Sequence, residues 1–308
     1  MVIQNLSERT IRSYMHYPLK LAEYFDAVPQ ELTTDEIYAF LVYLKEDRGL
    51  SRSTIHIAVS GIRYFYQHIL KRSSIIVDVP YPKQEKYLPE ILSGKEIKSL
   101  FSLTENIKHK ALLMLAYSAG LRRGEVIGLR LVDIDRKNMQ LNIRKGKGNK
   151  DRKAILSRYL LGVLEQYYQS YHPEKYLFNG RKKSEPMSEG AVNWVFRQAI
   201  KRTGIKKDLS LHNLRHSFAS HLLSMGVSLL DIQILLGHSD IRTTMIYLHL
   251  NRRRGTAPYQ TKGLPIYNVC LIVIPVNFVV TAIIMSISAA LILYFWSRNQ
   301  KTAVTPIA

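Results

Sequence analysis

The chain has 308 residues, 46% hydrophobic and 22% charged, which is enough apolar side chain for packed cores and too little charge for a disordered polyelectrolyte. Lysine and arginine number 44 against 24 aspartates and glutamates, and a net charge of +20 points to a polyanionic partner. The single cysteine, Cys270, excludes an internal disulfide and any zinc site built on two or more cysteines.

At roughly 100–200 residues per domain the length accommodates two domains. Met1 to Ser7 carries no apolar run of the kind a secretory signal needs, so a cytoplasmic, reducing setting is expected for the globular body. Residues 1–78 read as a helical bundle. A first helix covers about 8–25. Thr33 and Glu36 have capping-box spacing, and behind them Ile37, Phe40, Leu41 and Leu44 recur at helical period up to Gly49. Ser53 is expected to open the next helix, with Ile55, Val59, Ile62, Tyr66 and Ile69 on its apolar face. Residues 79–90 hold three prolines and four charges without periodicity, which reads as a linker.

Ser93 and Glu96 repeat the capping spacing and open a second domain, 91–255, of mixed character. An apolar helix over 110–118 stops at Gly120, and another begins near Arg122. Three short strand-like runs follow, at 131–135, 139–144 and 152–156, the last two joined by a hairpin loop at 145–150. Helices are then expected over 157–171, 188–204, 211–225, 229–236 and 241–249, with Gly226 and Gly237 as stops. The predicted fold is mostly α with a small antiparallel sheet. The tail, 263–308, is different: it has two basic residues and no acidic one, and 278–296 is almost unbroken apolar sequence ending in Tyr294, Phe295 and Trp296. That length and flanking suit one membrane-spanning helix.

The chemistry-bearing residues lie in the second domain. Arg122 sits in GLRRGE and Lys147 in KGKGNK. His212 and Arg215, three apart, share one face of a helix. His238 follows a helix stop in LLGHSD, and Tyr247 lies nine residues on. Each alone has an ordinary reading as a surface pair, a solvated loop lysine or half-buried packing. No carboxylate pair or metal-ligand cluster accompanies them. Together they suit cleavage of a phosphodiester without a metal. Two arginines can bind the non-bridging oxygens of the anionic transition state by paired, charge-assisted hydrogen bonds. A tyrosine oxygen gives a reversible ester; only about 0.1% of it is ionised near pH 7, so a nearby base is needed. A lysine on a flexible loop can protonate the leaving oxygen.

The order and spacing of these boxes resemble the tyrosine recombinase, or lambda-integrase, family, in its Xer-like and bacterial integrase branch. The boxes are GLRRGE at 120–125, GKGNKDR at 146–152, LSLHNLRHSFASHLL at 209–223 and LLGHSDIRTTMIYLH at 235–249. The resemblance covers about 5–250. It implies a core-binding N-terminal bundle and an α+β catalytic domain closing around duplex DNA, with cleavage and rejoining through a 3′-phosphotyrosyl link. Neither metal nor ATP is implied. Arg122 and Arg215 would clamp the phosphate, Lys147 would be the general acid, and His212 the general base or proton acceptor. His238 would bond the phosphate and buttress Tyr247, the nucleophile. Glu125 would support the site. His216, His221 and His249 are given packing roles. Arg52, Arg63, Lys71 and Arg72 would touch DNA phosphates, and four protomers, alike or paired with a related recombinase, would form the synapse. Two rival functions are a type IB topoisomerase-like relaxation of supercoils and a membrane-tethered, non-enzymatic DNA-binding protein. The resemblance fades near Asn251, and the tail beyond it has three competing readings: a membrane anchor, an abnormal C-terminus, or a hydrophobic helix that docks on a partner.

Overall fold

A computed structural model describes residues 8–76, 79–83, 88–144 and 151–253. Lys147 and the rest of the expected hairpin tip lie outside these residues, as does the candidate span 278–296. The chain divides into two compact units, Met1–Tyr87 and Leu88–Ala308.

The first unit is helical: α1 (Glu8–Phe25), α2 (Thr34–Glu46) and α3 (Arg52–Tyr64), the last running into a π-turn at Phe65–Ile69, then a 3-10 turn at Ser73–Ile76. The capping box expected at Thr33 is present. Its hydroxyl accepts from the Glu36 N–H, and the Glu36 carboxylate accepts from the Thr33 N–H at 2.8 Å. At α3 the cap is Ser51 rather than Ser53, because the Ser51 hydroxyl accepts from the Thr54 N–H and so starts the helix one residue early. Leu21, Ile37, Phe40, Val59, Ile62 and Tyr66 are buried together, and the Tyr66 hydroxyl donates to the Pro29 carbonyl at 2.6 Å.

In the second unit Ser93 and Glu96 form the expected box at the start of α4 (Gly94–Ser102). Every residue from Ala111 to Ser118 of α5 (Ile107–Ser118) is buried, as its all-round apolar sequence requires of a central helix. Then come α6 (Arg123–Gly128) and a three-stranded antiparallel sheet in the order β1 (Ile134–Asp135), β2 (Gln140–Ile143), β3 (Arg152–Ile155). Leu141 pairs with Ile134 on one side and Ala154 on the other. The first strand is shorter than its sequence suggested. Residues Leu131–Asp133 close a 3-10 turn in which the Asp133 carboxylate accepts from the Arg130 N–H at 2.9 Å. Five helices complete the unit: α7 (Arg158–Tyr171), α8 (Glu189–Thr203), α9 (His212–Ser224), α10 (Leu229–Leu236) and α11 (Ile241–Arg253). Helices α9, α10 and α11 pack on one another, and α9 also packs on α5, which brings the scattered boxes to one place.

Candidate active site

The site is organised by the end of α10. Gly237 stops the helix with φ +62°, and the N–H groups of Gly237 and His238 turn back to the carbonyls of Ile234 and Gln233. The next three carbonyls have no helical partner of their own. Each is taken by an arginine from elsewhere. Arg152, at the start of β3, donates to Leu235 at 2.6 Å. Arg215, in α9, donates to Leu236 at 2.6 Å. Arg122, at the cap of α6, donates to Gly237 at 3.2 Å. The negative end of the helix dipole favours all three cations.

Three guanidiniums this close repel one another, and Glu125 offsets that. Its nearly buried carboxylate accepts from the Arg122 N–H at 2.9 Å, from Arg122 Nη1 at 2.8 Å and from Arg152 Nη2 at 2.7 Å, and it lies 3.8 Å from Arg215 Nη1. Burial works to raise its pKa, but Arg152 and Arg122 outweigh burial and hold it below the ordinary carboxylate range. Arg215 is 1% exposed and also donates to the Gly120 carbonyl at 2.7 Å. Burial first, then Arg122, lowers its pKa to about 9, which leaves it protonated at neutral pH.

Tyr247, in α11, is 1% exposed. Its hydroxyl lies 3.1 Å from His216 Nδ1, and its ring runs nearly parallel to that of His238, at 14°. Burial pushes the phenol up to about 12 against the pull of Arg215 and Arg122, so the tyrosine is neutral here. The His238 Nδ1 lies 2.9 Å from the Thr244 hydroxyl, and burial with Arg215 and Arg122 brings its pKa down to about 3. His212 stands at the rim, its ring edge-on to His216 with centroids 4.6 Å apart. Desolvation and Arg215 hold it below the ordinary histidine range.

Of the six residues expected to be catalytic, Arg122, His212, Arg215, His238 and Tyr247 come together, and Lys147 lies outside the described residues. Glu125, expected to support the site, lies among Arg122, Arg152 and Arg215. Two participants were not foreseen. Arg152 falls inside the GKGNKDR box, but nothing in that motif tells that its side chain turns toward a helix end. His216 received a packing role from sequence, whereas its ring nitrogen meets the tyrosine hydroxyl. His221 does pack: it is buried, with Nδ1 2.8 Å from the Tyr117 hydroxyl. Among the described residues no group of three or more His, Cys, Asp or Glu is gathered so as to hold a metal.

The four basic residues expected on DNA belong to the first unit. Arg52, Lys71 and Arg72 are exposed. Arg63 donates to the Val79 carbonyl at 2.8 Å and lies over the Tyr81 ring, and Arg72 donates to the Gln30 carbonyl.

Comparison with known proteins assigns both units. Residues 90–254 match the family model described as the Phage integrase family, and residues 1–76 match the Phage integrase, N-terminal SAM-like domain. The putative integrase/recombinase y4qK of Sinorhizobium fredii is 36% identical over 251 residues, covering 81% of this chain and 82% of its own. The tyrosine recombinase XerC of Staphylococcus epidermidis is 31% identical over 270 residues, 82% of this chain and 90% of its own. The fold is like that of a lambda integrase tetramer bound to a Holliday junction, with a TM-score of 0.65 and 21% identity over 79% of this chain and 72% of that one.

Proposed function

The chain belongs to the phage integrase family and is a tyrosine-type site-specific recombinase, and from this premise we propose that it cuts and rejoins duplex DNA through a 3′-phosphotyrosyl ester on Tyr247, without metal or nucleotide. One observation carries the proposal: Arg122 and Arg215 are fixed by adjacent carbonyls of one helix end, beside a buried tyrosine hydroxyl flanked by two neutral histidines. A guanidinium has five N–H donors, and the bonds to Gly120 and Leu236 use two of those of Arg215. The remaining donors, with those of Arg122, bind the non-bridging oxygens of the scissile phosphate and stabilise its added charge in the transition state. Because the arginines are already in place, little of that stabilisation is spent on ordering them. Tyr247 attacks phosphorus, the 5′-oxygen leaves with a proton from Lys147, and the histidines of the site handle the tyrosine proton. His212 binds or takes a proton at the phosphate side, and His238 supports Tyr247. The ester conserves the energy of the broken bond, so rejoining is the same step reversed.

Duplex DNA is the partner, with Arg52, Arg63, Lys71 and Arg72 contributing phosphate contacts that weaken with salt. By analogy with the tetrameric lambda integrase complex, four protomers, of this chain or shared with a related recombinase, act together. The catalytic body works in the cytoplasm, where that DNA is. Among the described residues no helix is long and apolar enough to cross a membrane. The anchor reading of 278–296 rests on sequence alone, and a full-length chain that stays in the soluble fraction after cell fractionation rejects it.

The proposal is tested with Tyr247→Phe, which removes one oxygen and keeps the ring. DNA binding stays within a few-fold of the parent, and no covalent protein–DNA adduct forms on nicked substrates. An adduct of normal yield removes Tyr247 from the role of nucleophile.

A further inference from the structure

We propose that His216 receives the proton of Tyr247 in the step that joins the tyrosine to DNA. The inference rests on the reading of Tyr247 as nucleophile. A tyrosine 1% exposed has little water at its hydroxyl, so its proton must pass to a group already beside it. Three histidines stand nearby, and geometry separates them. The ring of His238 lies near that of Tyr247, with centroids 6.5 Å apart, but its ring hydrogen bond runs from Nδ1 to the Thr244 hydroxyl and not to the tyrosine. His212 presents its ring to His216. Only the Nδ1 of His216 lies at hydrogen-bond distance from the Tyr247 hydroxyl among these three, at 3.1 Å. With its proton on Nε2, the ring offers a lone pair there.

The step balances as follows. The Oη–H bond of Tyr247 breaks and the proton moves to His216 Nδ1. The Oη–P bond forms, the P–O5′ bond breaks, and the 5′-oxygen leaves with a proton from the general acid. Religation returns the proton from His216 to the tyrosine. The titratable and charged groups that bear on His216 are His212 and Arg215 on α9, Tyr247 on α11 and His238 on the turn between α10 and α11. Burial, His212 and Arg215 lower its pKa to about 4, so in the resting site it is neutral and able to accept. An incoming phosphate brings negative charge next to the arginines. That charge offsets part of their field and raises the basicity of His216 when the proton has to move.

His216→Asn tests this, because its side-chain oxygen falls near the place of Nδ1 and accepts a hydrogen bond yet does not take a proton. The first measurement needs no DNA. In full-length protein labelled at the tyrosine Cζ carbons, the Tyr247 signal is the one absent from Tyr247→Phe, and it is expected to shift in His216→Asn. An unmoved signal overturns the contact. The second is single-turnover cleavage of nicked duplexes tiling the DNA that flanks the chain's own gene. His216→Asn should bind them like the parent and cleave about 10²-fold or more slowly near pH 7, the scale of a lost general base. Its rate should climb with pH up to about tenfold per unit, since only preformed tyrosinate reacts, while the parent stays flatter. Cleavage within about threefold of the parent overturns the proposal, and so does a slow variant with the parent's pH profile, which makes His216 an orienting partner alone. An adduct mapped by mass spectrometry to a residue other than Tyr247 in the parent overturns the nucleophile reading itself.

Discussion

The ends of α8 and α10 are alike in how the backbone stops and opposite in use. Both helices stop on a glycine in the left-handed region, Gly204 at φ +71° and Gly237 at φ +62°. At the end of α8 the last turn carries its own Lys201 and Arg202, and a Cβ built on Gly204 would meet nothing within 4 Å. At the end of α10 the cations come from three other elements, and a Cβ on Gly237 would lie 2.3 Å from Arg152 Cδ. The local signal, a helix followed by a left-handed glycine, therefore produces a plain stop in one place and a seat for arginines in the other. Unpaired carbonyls at a helix end are generic acceptors. Function enters through what the packing of α6, β3 and α9 brings to them, and through the one carboxylate, Glu125, that lets those charges sit together.

The comparison is broken most severely by removing that carboxylate. Glu125→Ala leaves Arg122, Arg152 and Arg215 facing one another without it. Loss of one side of a buried ion pair costs about 3–5 kcal/mol. For a unit of this size that corresponds to a thermal midpoint roughly 10 °C lower, measurable by calorimetry. Cleavage should fall by about 10²-fold or more, as for loss of a preorganised electrostatic contact. Amide exchange near Gly204 should stay at the parent level once stability is restored with osmolyte. Full cleavage by Glu125→Ala would mean that the arginines need no counter-charge.

Gly237→Ala attacks the seat itself. The methyl group collides with Arg152, and the backbone is held where an alanine is strained by about 1 kcal/mol. We expect a total cost of about 2–4 kcal/mol, since displacing Arg152 also loosens its bonds to Leu235 and Glu125. Cleavage should drop at least tenfold, measured on nicked substrates, with DNA affinity little changed.

Much of this was legible in the sequence, for identifiable reasons. Capping boxes at Thr33 and Ser93 are local, so their spacing alone located α2 and α4. Arg122, His212, Arg215, His238 and Tyr247 announce themselves because their residue types, in that order and spacing, suit phosphodiester chemistry. The carbonyls of Leu235, Leu236 and Gly237 do not, since every residue has one and only tertiary packing says which are left open. The same limit hid Arg152. His212 and His216 share a helix face one turn apart, and which of them meets Tyr247 depends on where α11 lies, information that periodicity does not contain. Ser51 took the cap of α3 from Ser53 because either serine satisfies the local rule, and the chain can use only one.

Acid distinguishes the two helix ends without mutation. Glu125 has a folded pKa below its ordinary value of 4.5, so its contribution to stability is present above that pH and is lost as pH falls through the lower folded value. His238 and His216 act in the same direction for a different reason. Their folded pKa values, about 3 and about 4, lie below the ordinary 6.5. The unfolded chain therefore binds more protons between those limits, and stability declines as pH drops from 6.5 toward 3. Denaturant midpoints measured from pH 7 to pH 4 should fall steadily. His238→Asn should flatten the slope in that window. An unchanged slope in that variant would mean that its imidazole protonates as readily folded as unfolded.

The smallest effect is the control that decides whether the comparison holds. Gly204→Ala meets the same backbone strain as Gly237→Ala and none of the collision, because the space around Gly204 is open. It should cost about 1 kcal/mol, the price of a left-handed alanine, and lower the thermal midpoint of the second unit by a few degrees. Cleavage of nicked duplexes should be that of the parent, because the carbonyls at the end of α8 hold none of the arginines that face Tyr247. A Gly204→Ala chain as deficient in cleavage as Gly237→Ala would show that the loss follows from straining any helix end in this unit. The seating of Arg122, Arg152 and Arg215 on α10 would then no longer explain why this particular end matters.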